Sequence, residues 1–266
     1  MQTSVVKRKL AEGKPVLVPK VCYHDPHIVE MLGLLGFDCV WLCNEYRAIA
    51  PGTLEHLVRA ARASGMECLI RGGMDGFDDL PRFLAAGANG MMLPHVASAD
   101  HARRAVERIK FPPLGKRELE NINADAAFGL MPLEEYLQAA NDETLVVAQV
   151  EDMEAIEQAD EIAQVDGIDV LFVGTGDLAL TLGVPGQHKH ARVVQAIRRV
   201  VQACRSHGRV CGAPALDPDH CRCLIDEGVR YFTDGSDWRL LLQGFRDVKQ
   251  RFGDVGLTFR PERIRP

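Results

Sequence analysis

The sequence lacks any apolar run approaching the roughly 20 residues that a membrane-spanning helix needs. Its first residues, MQTSVVKRKLAEGK, also lack the continuous apolar core of a signal peptide. Acidic and basic residues are interleaved and the net charge is −6, so neither nucleic acid nor an anionic membrane is expected as the main partner. These absences leave a cytoplasmic protein as the expectation.

Disulfide and zinc-site patterns are missing as well. The eight cysteines fall mostly in apolar segments without the spacing of a disulfide framework, so we expect reduced thiols. Cys221-x-Cys223 and His188-x-His190 have no second pair at the spacing of a structural zinc site. We therefore interpret these pairs as ordinary residues and not as metal ligands.

No low-complexity segment or linker interrupts the chain, which predicts a single domain over residues 1–266. Short apolar runs alternate with amphipathic stretches, a pattern typical of strand–helix units around a parallel sheet. Such units favour an α/β fold, a (β/α)8 TIM barrel, with a doubly wound open sheet as the structural alternative. The eight predicted strands are residues 16–21, 38–42, 67–71, 90–93, 145–150, 169–173, 210–212 and 231–234.

Polar residues follow most of these strands. In a barrel of this kind the carboxyl ends of the strands carry the chemistry. Because parallel strands end at the same rim, we expect the residues that follow them to meet there. The first six strands lead into CYHD, CNEYR, Arg71, Pro-His, Gln149 with Glu151, and GTGDL.

Glu151 and Asp177 are the two acids best placed to face each other, since they follow neighbouring strands. Two close carboxylates repel unless a cation or a proton lies between them. A hard divalent cation such as Mg²⁺ or Mn²⁺ prefers an oxygen-only site of this kind. The spacing also allows a second interpretation, in which Asp177 caps a helix and Glu151 pairs with a lysine.

Two features indicate an anion site. The segment GTGDL, residues 174–178, places backbone N–H groups at a helix start, where a carboxylate can bind. Its glycine spacing is not that of a dinucleotide fingerprint. Arg71, a lone cation at the end of an apolar strand, is a second candidate anion anchor, with a buried structural ion pair as the alternative.

Five segments together resemble the HpcH/HpaI family of metal-dependent class II pyruvate aldolases, in the right order and over nearly the whole chain. They are GFDCVWLCNEYRA, LIRGG, PPLGKR, LVVAQVEDMEAIE and GIDVLFVGTGDLALTLGVPG. The resemblance implies a (β/α)8 barrel whose last helix packs on a neighbouring subunit, usually in a homo-hexamer. It also implies retro-aldol cleavage of 2-keto-3-deoxy sugar acids and related hydroxy-keto acids to pyruvate and an aldehyde.

The resemblance assigns roles to individual residues of this chain. The metal carboxylates fall on Glu151 and Asp177, with Mg²⁺ or Mn²⁺ as the expected ion and Co²⁺ as a further option. The pyruvate contacts fall on Gln149 and on the backbone of Gly176 and Asp177. The arginine that steadies the enolate and keto oxygens falls on Arg71.

The chain departs from the family at the general base. After the second strand the family reads Asp-Gly-Glu-His, whereas this chain reads Cys43-Asn44-Glu45-Tyr46. Only Glu45 is retained, and we assign it to substrate binding. A further family aspartate, which supports the histidine, falls on Ala85.

Retro-aldol cleavage requires removal of the proton from the C4 hydroxyl, so another group must act as the base. Tyr46 stands at the position of the family histidine, but an ordinary tyrosine pKa of about 10 makes it a poor base. His24 and His95 follow the first and fourth strands and have a suitable ordinary pKa. A metal-bound water or hydroxide is a fourth candidate.

Two other functions stay open at this point. Decarboxylation of an oxaloacetate-like β-keto acid needs the same metal-stabilised enolate but no hydroxyl deprotonation. A barrel that binds a keto acid without turnover is the non-enzymatic alternative. The aldehyde end of the pocket is expected to come from the loop after the second strand, the long loop around Lys116 and Arg117, and a neighbouring subunit.

Overall fold

The computed structural model describes residues 3–47, 49–72 and 77–262, and its eight strands form a closed parallel barrel in the order β1 to β8. The predicted (β/α)8 barrel is therefore confirmed, since an open sheet would leave two edge strands. Every predicted strand is present, with bounds that differ by at most two residues. The strands are β1 (Val16–Val21), β2 (Cys39–Cys43), β3 (Glu67–Arg71), β4 (Gly90–Leu93), β5 (Leu145–Val150), β6 (Val170–Val173), β7 (Val210–Pro214) and β8 (Tyr231–Asp234).

Helices surround the barrel, and none in the described part of the chain is both long and apolar enough to cross a membrane. A short 3₁₀ segment, Ala124–Gly129, lies in the long connection before β5. The helices are α1 (Val5–Ala11), α2 (Pro26–Leu34), α3 (Pro51–Ala63), α4 (Leu80–Ala85), α5 (Ala99–Ile109), α6 (Leu133–Glu143), α7 (Met153–Glu157), α8 (Ala159–Ala163), α9 (Thr175–Thr181), α10 (Ala191–Ser206), α11 (Pro218–Glu227) and α12 (Asp237–Gly253).

Aromatic side chains fill the interior of the barrel. The ring of Phe172 lies edge-on to those of Trp41 and Tyr231, with centroids 6.3 and 6.1 Å apart. Gly212 makes room for this packing, because a Cβ there would lie 2.9 Å from the Phe172 ring. The interior is thus a packed core and not a pore, which restricts any chemistry to the rim.

Charged groups at the amino ends of the strands are buried with partners. Arg117 Nη2 lies 2.6 Å from Asp125 Oδ2, which also accepts a hydrogen bond from Tyr136 Oη at 2.6 Å. Lys110 Nζ donates to the carbonyl oxygen of Thr144, the residue before β5, at 2.8 Å. These contacts place Arg117 on the opposite side of the barrel from the strand carboxyl ends. Within one chain, the expectation that Arg117 lines the substrate pocket is therefore wrong.

The last helix, α12, does not cover the outer face of β1 in its own barrel. Leu17 points outward from β1, where a barrel normally has a helix, and is 44% exposed. The apolar side chains of α12 are exposed as well: Leu240, Leu241, Leu242, Phe245, Val248 and Phe252. At its start, Asp237 accepts hydrogen bonds from the backbone N–H groups of Cys22 and Tyr23, so only the first turn of α12 is attached to the rim.

Candidate active site

Arg71 is held in one orientation at the end of β3. Its Nη2 lies 2.6 Å from Glu45 Oε2 and donates to Cys43 Sγ at 3.0 Å, while its Nη1 donates to Gln149 Oε1 at 3.2 Å. The guanidinium stacks 4.6 Å from the centre of the Trp41 ring. Arg71 therefore occupies a buried ion pair, which was the alternative interpretation, and it also lies beside the predicted pyruvate contact Gln149.

Glu151 lies at the centre of the cluster and has no lysine partner in the described residues. Its Oε1 accepts a hydrogen bond from the backbone N–H of His95 at 3.0 Å and faces His95 Nδ1 at 3.2 Å. Its Oε2 accepts a hydrogen bond from Gln149 Nε2. Gly174 allows this position, because a Cβ there would lie 2.4 Å from Glu151 Oε2.

The charged form of Glu151 is disfavoured in the protein without a bound cation. Burial raises the pKa of Glu151 to about 7; the hydrogen bond and charge of His95 oppose this shift, and the charges of Asp177 and Glu45 add to it. The charge of Asp177 is thus close enough to that of Glu151 to raise its pKa. The alternative, in which Asp177 caps the helix, is not met, because α9 is capped by Gly174 and Asp177 lies in its first turn.

The donor set fits a divalent cation. Glu151 and Asp177 provide two repelling carboxylates, whereas Glu45 already faces Arg71. A cation between Glu151 and Asp177 would remove the repulsion, and carboxylate oxygens are the ligands that Mg²⁺ and Mn²⁺ prefer. The described residues contain no preformed group of three or more His, Cys, Asp or Glu side chains around a metal position. Glu151 and Asp177 are the side chains that would hold such a cation.

The start of α9 forms an open surface beside these carboxylates. A Cβ added at Gly176 would meet only His188 Cε1, at 3.9 Å. Thr175 Oγ1 lies 2.9 Å from His188 Nδ1, which fixes the following loop against the helix. Space is therefore open beside Gly176, and binding of a carboxylate by the backbone N–H groups of Gly176 and Asp177 stays a prediction.

The candidate bases lie in different environments. His95 lies inside the cluster, with Nε2 3.6 Å from Glu45 Oε1. His24 lies on the exposed loop after β1 and makes no hydrogen bond to any described residue. Partial burial, together with Glu45 and Asp177, raises the pKa of Tyr46 to about 12, although 65% of the residue is exposed. Tyr46 is therefore neutral at pH 7, and its ring lies over Arg71 at 5.4 Å.

Ala85, which replaces the family aspartate, ends α4 and provides no polar group. It lines a cavity of about 710 Å³ between α3 and α4, together with Asn44 and Phe83. The altered base motif thus has no supporting carboxylate from α4 in this chain.

Sequence reasoning missed Lys20 as part of this rim, and it placed Cys43 at the end of β2 without assigning it a role. Cys43 is buried, and its thiol pKa is lowered because Arg71 and Lys20 outweigh the effect of burial. Lys20 Nζ lies 4.6 Å from the centre of the Trp41 ring. The available signal was the alternation of β1, since Val16, Val18 and Lys20 face the same side of the strand and a charge there points into the barrel.

Comparisons with known proteins point to one family. The sequence model of the HpcH/HpaI aldolase/citrate lyase family matches residues 26–243. A hydroxypyruvate/pyruvate aldolase from Sagittula stellata is 32% identical over 206 residues, which cover 77% of this chain and 81% of the relative. A 5-keto-4-deoxy-D-glucarate aldolase from Salmonella paratyphi A is 30% identical over 231 residues, covering 87% and 88% of the two chains.

A solved structure of a protein from the same family also matches this chain. The crystal structure of a family protein from Burkholderia cenocepacia J2315 superposes with a TM-score of 0.86 at 30% identity, over 94% of this chain and 99% of that one. Members of the family are generally dependent on a divalent metal. The chain therefore belongs to the HpcH/HpaI aldolase/citrate lyase family and is an aldolase-type carbon–carbon lyase acting on a small keto acid.

Proposed function

We propose that this protein cleaves a 4-hydroxy-2-oxo acid of the 2-keto-3-deoxy sugar acid type to pyruvate and an aldehyde, with Mg²⁺ or Mn²⁺ held by Glu151 and Asp177. The observation that carries the proposal is the buried Glu151, whose pKa is raised to about 7 in a cluster that also contains Arg71. A cation between the two acids would remove their repulsion, and the Arg71 guanidinium contacts the amide of Gln149 at its oxygen while Glu151 contacts it at its nitrogen.

The bound cation supplies a Lewis acid that stabilises the enolate formed when the C3–C4 bond breaks. Arg71 donates to the keto oxygen as negative charge develops there, and Glu45 keeps the guanidinium in place through the 2.6 Å contact. Gln149 lies within hydrogen-bond distance of both Arg71 and Glu151 and positions the keto acid between them. The backbone N–H groups of Gly176 and Asp177 hold the substrate carboxylate.

His95 is the side chain we assign to remove the C4 hydroxyl proton. Its Nδ1 lies 3.2 Å from Glu151 Oε1, and we assign Nε2 to accept the proton. The imidazolium that results faces Glu45 Oε1 at 3.6 Å, which stabilises its charge. Tyr46, which stays neutral, donates a hydrogen bond to the substrate instead of accepting a proton.

The test is a panel of 4-hydroxy-2-oxo acids incubated with the full chain and Mg²⁺, Mn²⁺ or Co²⁺, with pyruvate and aldehyde measured separately. We expect equal amounts of both products and complete loss of activity in excess EDTA. Pyruvate release that continues undiminished in EDTA would contradict the metal assignment.

Decarboxylation of an oxaloacetate-like β-keto acid is the second candidate. It is favoured by the altered motif at Cys43 to Tyr46, because this reaction needs no base at the C4 hydroxyl. Carbon dioxide release without an aldehyde would identify it. Tight oxalate binding with neither product would instead indicate a keto-acid-binding barrel.

We also propose that the active form is a homo-oligomer in which α12 covers the β1 face of a second copy. The exposed Leu17 and the exposed apolar face of α12 support this arrangement, since each is a surface that folding normally buries. The resemblance predicts a hexamer. A monomeric mass by light scattering at micromolar concentration would refute the proposal.

A further inference from the structure

Cys43 is a thiol beside the keto-acid site that the reaction outlined above does not use. It pairs in register with Arg71 across β2 and β3, and its Sγ accepts a hydrogen bond from Arg71 Nη2 at 3.0 Å. The backbone N–H of Asn44 donates to the carbonyl oxygen of Arg71 at 2.9 Å, which holds the two strand ends together. The thiol is therefore fixed beside the guanidinium that, in the proposed function, contacts the keto oxygen.

The surroundings of Cys43 favour a reactive thiol. Burial alone would raise its pKa, but the charges of Arg71 and Lys20 and the hydrogen bond from Arg71 bring the pKa below the ordinary value. The thiolate is the nucleophilic form of cysteine, and neighbouring cations stabilise it. Cys22, which follows β1 at the same rim, has the opposite balance, since burial and Asp237 raise its pKa more than Lys20 lowers it. At neutral pH Cys43 therefore holds the larger fraction of thiolate.

Two buried donors next to this thiol have no hydrogen-bond partner among the described residues. They are Trp41 Nε1 and Arg71 Nε, from side chains whose residues are only 6% and 4% exposed. Trp41 precedes Cys43 by two residues on the same face of β2, and its ring centre lies 4.6 Å from the Arg71 guanidinium. A buried donor without a partner is unfavourable, so acceptor oxygens of a ligand would stabilise this cluster.

A site that stabilises an enolate also promotes the addition of a thiol to an unsaturated keto acid. In a 3,4-unsaturated 2-keto acid the C3=C4 double bond is conjugated with the keto group, so C4 is electrophilic. When Sγ forms a bond to C4, the π electron pair of C3=C4 moves to give an enolate, and C3 then takes up the thiol proton. Arg71 stabilises the enolate oxygen as it does in retro-aldol cleavage. The addition needs no oxidant and expels no leaving group.

We propose that Cys43 is a covalent modification site, at which 3,4-unsaturated 2-keto acids add to the thiol through C4. This inference rests on the proposed function for the position of the keto-acid end. Acids of this class form when a 4-hydroxy-2-oxo acid loses water across C3 and C4, so they resemble the substrate and enter the same site. The adduct remains attached there and blocks it, which makes a dehydrated substrate a covalent inhibitor.

The test compares two enones that differ at one end: 2-oxopent-3-enoate carries a carboxylate, and pent-3-en-2-one carries a methyl group in its place. The full chain is incubated with each enone and Mg²⁺, and peptide mass mapping follows the adduct on every cysteine. We expect 2-oxopent-3-enoate to modify Cys43 at least about tenfold faster than the exposed Cys223, because binding holds C4 near the thiol. Pent-3-en-2-one, which lacks the anchoring carboxylate, should modify Cys223 first. Oxalate, which competes for the keto-acid site, should protect Cys43 and not Cys223.

Two variants locate the reaction. Cys43→Ser should abolish the fast, oxalate-protected adduct, with circular dichroism to establish that the variant is folded. Cys22→Ser is the matched control, because Cys22 is a buried thiol at the same rim with a raised pKa, and it should leave the rate at Cys43 unchanged. If Cys43→Ser does not fold, the peptide map of the wild-type protein still decides the question, since it locates the adduct without a substitution.

The proposal is overturned if 2-oxopent-3-enoate modifies Cys22 or Cys223 before Cys43, or if oxalate does not protect Cys43. It is also overturned if both enones modify Cys43 at the same rate. Failure of the proposed function has a different signature: no 4-hydroxy-2-oxo acid is cleaved, whereas the oxalate-protected adduct on Cys43 still forms. Cleavage without any adduct on Cys43 refutes the present inference and leaves the proposed function intact.

Discussion

The two ends of the barrel bury charged groups in opposite ways. At the amino ends, Arg117 is paired with Asp125, and Glu67 Oε1 accepts a hydrogen bond from the backbone of Val6 at 3.0 Å while its Oε2 accepts one from Ser4 Oγ at 2.8 Å. At the carboxyl ends, Glu151 is buried while Asp177 and Glu45 repel its charge. The amino-end charges face groups that stabilise them, whereas Glu151 faces two further carboxylates in addition to its hydrogen bonds, a repulsion that a bound cation would remove. Substitutions at the two ends should therefore have opposite signatures in stability and in activity.

The largest expected effect is on activity at the carboxyl end. Glu151→Gln and Asp177→Asn each remove a proposed anionic metal ligand and keep the side-chain shape. We expect a loss of about 10³-fold or more in kcat/KM, because Lewis-acid stabilisation is worth several kcal/mol. Circular dichroism and the thermal midpoint in EDTA should show an intact fold. Substantial activity with Mg²⁺ in either variant would contradict the ligand assignment.

The corresponding change at the amino end should affect stability alone. Arg117→Met leaves the Asp125 carboxylate buried without its cation, which typically costs about 3–5 kcal/mol. Urea denaturation should show this loss in the free energy of unfolding. The kcat of the folded fraction should stay within about twofold of wild type, and a kcat loss as large as that of Glu151→Gln would remove the distinction between the two ends.

Arg71→Lys tests whether the guanidinium fork is required. Lysine keeps the charge but cannot contact Gln149 and a substrate oxygen through a planar pair of donors. We expect a loss of about 10²-fold in kcat/KM, comparable to the removal of one oxyanion donor. Near-normal kcat/KM would mean that Arg71 serves only as the ion-pair partner of Glu45.

His95→Gln and Tyr46→Phe together identify the base. Glutamine keeps hydrogen-bonding capacity but cannot accept the proton, so His95→Gln should lose about 10²-fold in kcat. Tyr46→Phe removes only a hydroxyl that stays neutral, and we expect a loss below about tenfold. The reverse ranking, or a large loss in His24→Gln, would assign the base elsewhere.

The smallest effect is the pH dependence of stability in the metal-free protein. The folded pKa of Glu151, about 7, lies above its ordinary value of 4.5, so the folded state holds this proton more tightly than the unfolded state. Stability should therefore fall as pH rises from about 4.5 to about 7, by on the order of 2 kcal/mol. Urea titrations in EDTA at pH 5 and 7.5 measure this difference. Glu151→Gln should lack it, and an equal slope in that variant would exclude Glu151 as its source.

The sequence predicts the barrel well because burial patterns along a strand are local. The run Leu145 to Val150 is apolar except for Gln149, and the structure shows every residue of β5 buried. Glu151 and Arg71 could be found in the same way, since each charge follows an apolar strand directly. Their partners could not be derived, because the contact of Arg71 with Glu45 depends on the path of the loop after β2.

Two other features depend on tertiary arrangement and were misjudged or missed. Arg117 lies in a Pro-Gly-basic loop that resembles a substrate loop, yet its pairing with Asp125 is decided by how that loop folds back to the amino ends. The environment that raises the pKa of Tyr46 to about 12 requires knowledge of which acids surround it. His95 and His24 were equivalent candidates until the loops after β4 and β1 placed one inside the cluster and the other in solvent.

The attachment of α12 links the assembly of several copies to ligand binding at the rim. Asp237 begins this helix and also holds the backbone of Cys22 and Tyr23, which directly follow Lys20 and Val21 in the chain. If α12 is exchanged between copies, diluting the protein releases the helix and loosens the strand end that carries Lys20. We therefore expect dilution to weaken the binding of a keto acid at the rim before the barrel itself unfolds.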